Sequence, residues 1–135
     1  MSHFLSNRRD SIKTLAALGA AASSPFAFAQ KPITVGVIYV GPRDDFGYNQ
    51  AQAEAAAMLK KMPGVKVVEE ENVPETAAVQ RTMTGMIAQD GAQLVFPTSF
   101  GYFDPHMLAV AAKYPEARFA HCGGMWTEGK HPKNT

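Results

Sequence analysis

Two segments of this sequence combine aromatic, amide, carboxylate and hydroxyl side chains at close spacing. The residues with binding chemistry are Asp45, Phe46, Tyr48 and Asn49 in the first segment, and Ser99, Phe100, Gly101 and Tyr102 in the second. Aromatic faces stack on a flat heterocycle, while carboxylate and amide groups match its donors and acceptors. A third segment, residues 122–126, contains two glycines and a tryptophan. The pattern predicts a binding site for a small planar ligand that carries polar groups.

Each of these residues also has a purely structural interpretation. Asp45 and Ser99 could cap the helices that follow them. Phe46 and Tyr48 could pack against the edge of a sheet, and Gly101 could simply supply a positive φ angle. Residue types alone leave both interpretations open.

The sequence lacks the residue sets that common catalytic and metal sites require. Cys122 follows His121 directly, and adjacent residues of a strand point to opposite faces, so the two would form a poor nucleophile–base pair. Cys122 is therefore expected to be a small buried residue. His106 has no His or Glu at metal-ligand spacing, and no phosphate-binding glycine loop is present. We expect a protein that is not an enzyme and that uses neither a metal nor another cofactor.

The elements that position these segments alternate between β-branched apolar runs and helical patterns. The expected strands are 33–40, 65–70, 93–96 and 118–121, and the expected helices are 48–61, 75–89 and 105–113. This order predicts an α/β fold with a parallel, Rossmann-like sheet and helices on both faces. Ligands of such sheets lie beyond the carboxyl ends of the strands, which is where the three segments fall.

The first 29 residues have the layout of an export signal. Arg8-Arg9 is followed by a short apolar run at 14–22 and by Ala27-Phe28-Ala29, a site of the kind that signal peptidases cut. The apolar run is too short for a membrane span of about 20 residues. The paired arginines resemble a twin-arginine signal, with general secretion as the alternative. We therefore assign residues 1–29 to export.

Residues 30–135 then form the ligand-binding part of the chain. They carry ten basic and eleven acidic side chains, so they offer no basic field for nucleic acid. No cysteine lies at the expected cleavage point, so we expect a soluble periplasmic protein and not a lipoprotein.

Several ordered blocks of the chain resemble the BMP (basic membrane protein) family. Asp45-Phe46-Gly47-Tyr48-Asn49 is similar to the D-x-G-[FYW]-N motif that follows the first strand in that family. Residues 71–75 and 98–105 look like further family blocks, and Tyr114-Pro115 falls in the expected register. The resemblance covers nearly all of residues 32–124.

This resemblance implies the N-terminal lobe of a type I periplasmic-binding fold. Family members are substrate-binding components of ABC importers that close two lobes on a small ligand, mainly a purine base or nucleoside, and deliver it to a permease and ATPase complex. The resemblance places residues 45–49 and 99–102 in the binding loops. It also implies a second lobe that residues 30–135 do not include. An exported sensory or regulatory domain of the same fold is the alternative.

Overall fold

The computed structural model describes residues 31–135, and the export signal assigned to residues 1–29 lies outside them. The described part alternates strands and helices: β1 (Ile33–Ile38), α1 (Tyr48–Leu59), β2 (Val65–Glu70), α2 (Ala77–Ala88), β3 (Leu94–Pro97), α3 (Leu108–Lys113) and β4 (Arg118–Phe119). Across residues 31–135, no helix has the length and apolar character needed to cross a membrane. The predicted α/β order is confirmed.

The four strands form one parallel sheet in the order β2-β1-β3-β4. Ile33 of β1 lies opposite Val65 of β2, and Val35 lies opposite Leu94 of β3. β1 and β3 are therefore the central strands. Because all four strands run the same way, the loops that follow β1 and β3 leave from the same edge of the sheet.

Helices cover both faces of the sheet, as the buried character of β1 predicts. Val35 and Val37 point to one face, where they are buried with Ala56 of α1. Gly36 points to the other face, toward α2. A Cβ atom at Gly36 would lie 2.7 Å from the Sδ atom of Met86, so the glycine allows α2 to approach closely.

The larger core lies on the α2 and α3 side of the sheet. Val79, Met83 and Met86 form the apolar stripe of α2 and are buried against Val95 of β3. This stripe repeats every three or four residues, which is the spacing that keeps side chains on one helix face. The core fixes α2 on the sheet. It therefore also fixes the end of the connection between β2 and α2.

The chain between β3 and α3 differs from the predicted helix over 105–113. A single 3₁₀ turn, Phe100–Tyr102, leads into a wide turn, Phe103–Met107, before α3 begins. Asp104 interrupts this wide turn with extended angles, φ −116° and ψ 124°. The result is a bent connection at the carboxyl end of β3.

The last strand is shorter than predicted, and this changes the position of Cys122. β4 ends at Phe119, so His121 and Cys122 lie in the loop beyond it. Cys122 is exposed and not buried as expected. The alternation of strand faces does not apply to this pair, because neither residue belongs to the strand.

Asn134 closes the segment that follows β4. Its buried Nδ2 atom lies 3.1 Å from the carbonyl oxygens of Ala111 and Tyr114 and 2.9 Å from that of Ala117. Its own carbonyl oxygen accepts a hydrogen bond of 2.8 Å from the backbone N–H of Phe119. Both ends of the segment 120–133 are therefore fixed beside β4 and the end of α3.

Candidate functional site

Large aromatic side chains are exposed where β1 and β3 end. Phe46 is 95% exposed, Phe100 is 67% exposed and Tyr48 is 39% exposed. The rings of Tyr48 and Phe100 are stacked, with centroids 6.3 Å apart and planes inclined by 27°. We call Phe46, Tyr48 and Phe100 the aromatic edge. Tyr48 and Phe100 are in contact, Phe46 lies two residues before Tyr48, and exposed apolar rings of this kind are typical of a contact site.

The backbone of Phe46 is held in an unfavourable conformation. Its φ angle of 56° lies in the left-handed region, which is an outlier for a bulky side chain. The backbone N–H of Phe46 donates to Oε1 of Gln50 at 3.1 Å, which helps to hold the turn. Such strain persists where the surrounding structure fixes it, and it is concentrated at functional sites.

Asp45, predicted at the ligand, makes the contacts of a helix-capping residue. Its carboxylate accepts hydrogen bonds from the backbone N–H groups of Gly47 (2.9 Å), Asn49 (3.2 Å) and Gln50 (3.0 Å), and from Nδ2 of Asn49 (2.9 Å). The bond from the Gln50 N–H is the main cause that lowers the pKa of Asp45 to about 2, and the others add to it. Asp45 therefore fixes the start of α1.

Asn49 is also predicted at the ligand, and it is buried at the base of this loop, only 7% exposed. Its Nδ2 atom donates to Asp45, while its Oδ1 atom has no hydrogen-bond partner among the described residues. A Cβ atom at Gly41 would lie 2.9 Å from Nδ2, so the glycine makes room for the amide. A buried acceptor without a partner costs about 1–3 kcal/mol, which makes Oδ1 a candidate for a ligand donor.

Tyr48 connects the loop after β1 to the loop after β3. Its hydroxyl group donates to the carbonyl oxygen of Thr98 at 2.6 Å, and partial burial raises the pKa of this hydroxyl. Thr98 is itself anchored, because its Oγ1 atom donates to the carbonyl oxygen of Ile38 at 2.8 Å. The Tyr48 ring thus faces outward while its hydroxyl group is held against the sheet.

Ser99 and Gly101 flank Phe100, and both are bound by Glu75. Oε1 of Glu75 accepts hydrogen bonds from Oγ of Ser99 and from the backbone N–H of Gly101, the second at 3.0 Å. On the other side, Nε2 of His121 lies 2.8 Å from the carbonyl oxygen of Ser99. Sequence reasoning placed Glu75 in a family block but gave it no role at the site, since nothing in its spacing points to residues so far along the chain.

The structure does not place Tyr102 at the surface. The side chain is fully buried, and its hydroxyl group donates to the carbonyl oxygen of Val73 at 2.5 Å. Burial also raises the pKa of this hydroxyl. Tyr102 lies in the loop after β3, as predicted, but its side chain belongs to the core in this structure.

The third segment lies against the aromatic residues that follow β3. A Cβ atom at Gly123 would clash with the ring of Phe100, and one at Gly124 would clash with the ring of Phe103. Both glycines are therefore needed for this close approach. A cavity of about 430 Å³ lies here, lined by Phe100, Phe103, Asp104, Gly123, Gly124, Met125, Thr127, Lys130 and His131.

Charged groups anchor the loop after β1 to β2. The backbone N–H and the Nε atom of Arg43 both lie 3.0 Å from Oε2 of Glu71, and these bonds lower the pKa of Glu71. Glu69 pairs with Lys60 and lies 3.6 Å from a guanidinium nitrogen of Arg43. Within residues 31–135, no group of three or more His, Cys, Asp or Glu side chains is placed to hold a metal ion.

Comparisons with known proteins agree with this fold and with the family resemblance. Residues 33–134 match the family model Bmp, described as ABC transporter substrate-binding protein, PnrA-like. A purine-binding protein of Brucella abortus (strain 2308) is 41% identical over 103 residues, which are 75% of this chain and 29% of that relative.

Two solved structures have a similar fold. An ABC transporter solute-binding protein from Conexibacter woesei DSM 14684 superposes with a TM-score of 0.55 and 26% identity, over 64% of this chain and 28% of that one. A second, from Aeropyrum pernix K1, has a TM-score of 0.54 and 30% identity, over 67% of this chain and 24% of that one. The chain therefore spans less than a third of the length of each of these proteins.

Proposed function

Because the chain belongs to the Bmp family of PnrA-like ABC transporter substrate-binding proteins, we propose that the full-length protein binds a purine base or nucleoside for import. The aromatic edge carries this proposal, since exposed rings at the carboxyl ends of β1 and β3 suit a flat heterocycle. The purine-binding relative from Brucella supports the same ligand class.

Stacking supplies the main attraction in this proposal. The rings of Tyr48 and Phe100 are stacked, and Phe46 is exposed two residues before Tyr48, so a purine that covers these rings removes apolar area from water. The strained backbone of Phe46 fits this role, because its ring is held almost fully in solvent and such strain is concentrated at functional sites. Base–aromatic stacking contributes about 1–3 kcal/mol for each stacked base.

Polar groups in the same loops set the orientation of the ligand. Oδ1 of Asn49 is the acceptor that we assign to a purine N–H, reached when the loop after β1 adjusts around the ligand. Asp45 supports that amide from behind through its bond to Nδ2. Ser99 and Gly101 shape the backbone beside Phe100. The proposed contacts are thus rings from three residues and one amide, on a backbone fixed by carboxylates.

One lobe forms only one wall of such a site. A small-molecule site buries about 70–90% of its ligand, and the aromatic edge is open to solvent. In the proposal, the remainder of the full-length protein supplies the opposite wall and closes over the purine. The closed form then delivers the ligand to an ABC permease and ATPase complex. Residues 1–29 direct export to the periplasm, where the protein acts as a soluble carrier without catalysis.

Calorimetry on the full-length protein tests the ligand class. Titration with adenine, adenosine and guanosine is expected to show at least one tight ligand, and chromatography after incubation is expected to recover that ligand unchanged. Heat with sugars or amino acids, and none with the three purines, would overturn the proposal.

Two alanine variants and a matched control test the site. Phe100→Ala and Tyr48→Ala are each expected to weaken purine binding by more than about 1 kcal/mol, because each removes a stacking face. Met58→Ala removes an exposed apolar side chain of α1 away from the aromatic edge, so its affinity should match that of the wild type. Equal affinities for all four proteins would place the ligand elsewhere.

A further inference from the structure

We propose that Glu75 is a positioning residue for the Phe100 wall of the ligand site, an inference that rests on the proposed function. Its carboxylate bonds the residue before Phe100 and the residue after it, through Oγ of Ser99 and the backbone N–H of Gly101. The two bonds bracket Phe100 and hold the short turn that directs its ring into solvent.

The geometry around Gly101 shows how closely the carboxylate is seated. A Cβ atom at this position would lie 2.5–2.7 Å from the carboxyl group of Glu75, so only glycine allows the contact. Hydrogen bonds to an ionised carboxylate are also stronger than those between neutral groups. The turn at Ser99–Gly101 is thus shaped around a charged acceptor that comes from another part of the chain.

Glu75 lies in the connection between β2 and α2, and hydrogen bonds to other elements fix this connection. The backbone N–H of Val73 donates to the carbonyl oxygen of Tyr39 at 3.1 Å, and the carbonyl oxygen of Val73 accepts from the buried hydroxyl group of Tyr102 at 2.5 Å. The cap of α2 is a different residue, Thr76, whose side chain accepts from the N–H of Ala78 at 3.2 Å. The contacts of Glu75 therefore serve the loop after β3 and not the helix that follows it.

The same connection also holds the other binding loop. Glu71 accepts from the backbone N–H and the Nε atom of Arg43, in the loop after β1. Residues 71–75 thus bind both loops of the aromatic edge through carboxylates at their two ends. Since a rigid site loses less conformational freedom on binding, positions that fix these loops raise affinity without touching the ligand.

A double-mutant cycle in the full-length protein separates positioning from direct contact. The proteins are wild type, Glu75→Ala, Phe100→Ala and the double variant, each titrated with adenine, adenosine and guanosine. Glu75→Ala is expected to weaken binding of the tightest of these purines by about tenfold. In the Phe100→Ala background the same change should alter affinity by less than about twofold, because the ring through which Glu75 acts is gone.

Glu75→Gln is the conservative variant, since its amide oxygen accepts both bonds without the charge. It is expected to keep affinity within about threefold of the wild type. An unchanged affinity in Glu75→Ala would overturn the positioning role. A tenfold loss that persists in the Phe100→Ala background would overturn it too, since Glu75 would then act independently of the ring.

Amide hydrogen exchange without ligand completes the test and does not depend on which ligand binds. Exchange at residues 99–101 should accelerate in Glu75→Ala and stay near the wild-type rate in Glu75→Gln, while residues 45–50 exchange as before in both. If no purine binds the wild type, the proposed function fails, and the exchange rates still decide whether Glu75 holds the loop. Unchanged exchange at 99–101 in Glu75→Ala would overturn the inference.

Discussion

The loop after β1 and the loop after β3 both present exposed rings, but they are held in different ways. In the first, Asp45 belongs to the loop itself and binds groups within five positions along the chain. In the second, the holding groups are remote: Glu75 lies 24 residues before Ser99, and His121 lies 22 residues after it. Residues 45–50 of the first loop are thus held mainly by local bonds, although Arg43 of that loop also bonds to Glu71 and Tyr48 bonds to Thr98. The turn at residues 99–101 of the second loop is held by bonds that require the assembled fold.

Because of this difference, the two loops should respond differently when the fold is destabilised. Local contacts form with little chain closure, whereas contacts over many residues require the intervening elements to be in place. The loop after β3 should therefore lose its conformation first when the core is weakened. Three predictions test this contrast, in order of decreasing expected effect on stability.

Tyr102→Phe is expected to have the largest effect. It removes a buried hydroxyl group and leaves the carbonyl oxygen of Val73 without its partner, so the free energy of unfolding should fall by about 1–3 kcal/mol. Urea denaturation of the full-length protein measures this loss. Amide exchange should accelerate at residues 98–102 and not at residues 45–50. Equal acceleration in both loops would contradict the contrast. Tyr114→Phe, at a half-buried tyrosine of the same chain, is the matched control.

Tyr48→Phe removes the bond between the two loops and keeps the ring. Its hydroxyl group donates to the carbonyl oxygen of Thr98 in a part-buried setting, so the expected loss of unfolding free energy is about 0.5–1.5 kcal/mol. Purine affinity should change much less than in Tyr48→Ala, because the stacking face remains. A loss of affinity as large as that of Tyr48→Ala would assign the role of Tyr48 to its hydroxyl group and not to its ring.

Asp45→Asn is expected to have the smallest effect, and that effect should disappear in acid. The folded-state pKa of Asp45 lies below its ordinary value, so the ionised carboxylate stabilises the fold above about pH 4, and this contribution is lost as the pH falls toward 2. The wild type should be slightly more stable than the variant at neutral pH, and the difference should vanish near pH 2. Urea midpoints across this range measure it. A constant difference at every pH would show that the carboxylate charge has no part.

The same contrast explains which features the sequence could predict. The sequence predicts β2 at its observed bounds because a valine-rich run follows Pro63-Gly64, and α1 begins at Tyr48, as expected after a capping aspartate. The capping role of Asp45 was among the alternatives, since its partners lie within the motif. These are local patterns, and local patterns are what a sequence displays.

Contacts between residues that are far apart in the sequence cannot be predicted from such local patterns. Tyr102 and Phe100 lie two positions apart on a 3₁₀ turn, which has three residues per turn, so one side chain points inward and the other outward. Nothing in the residue types distinguishes them. The partnership of Glu75 with Ser99 depends on how α2 packs on the sheet, which only the folded chain determines. The exposure of Cys122 follows from the early end of β4.

The segment 120–133 is held at both ends, and this determines which part of it can change without disturbing the sheet. Asn134 fixes one end and the β4 backbone fixes the other, independently of residues 122–131 between them. Insertions or replacements in that interval change the loop while leaving the sheet intact, and each doubling of loop length costs only about 0.6 kcal/mol. Because the interval lies beside Phe100 and Phe103, changes within it would alter the surface next to these two rings while the hydrogen bonds of the sheet remain.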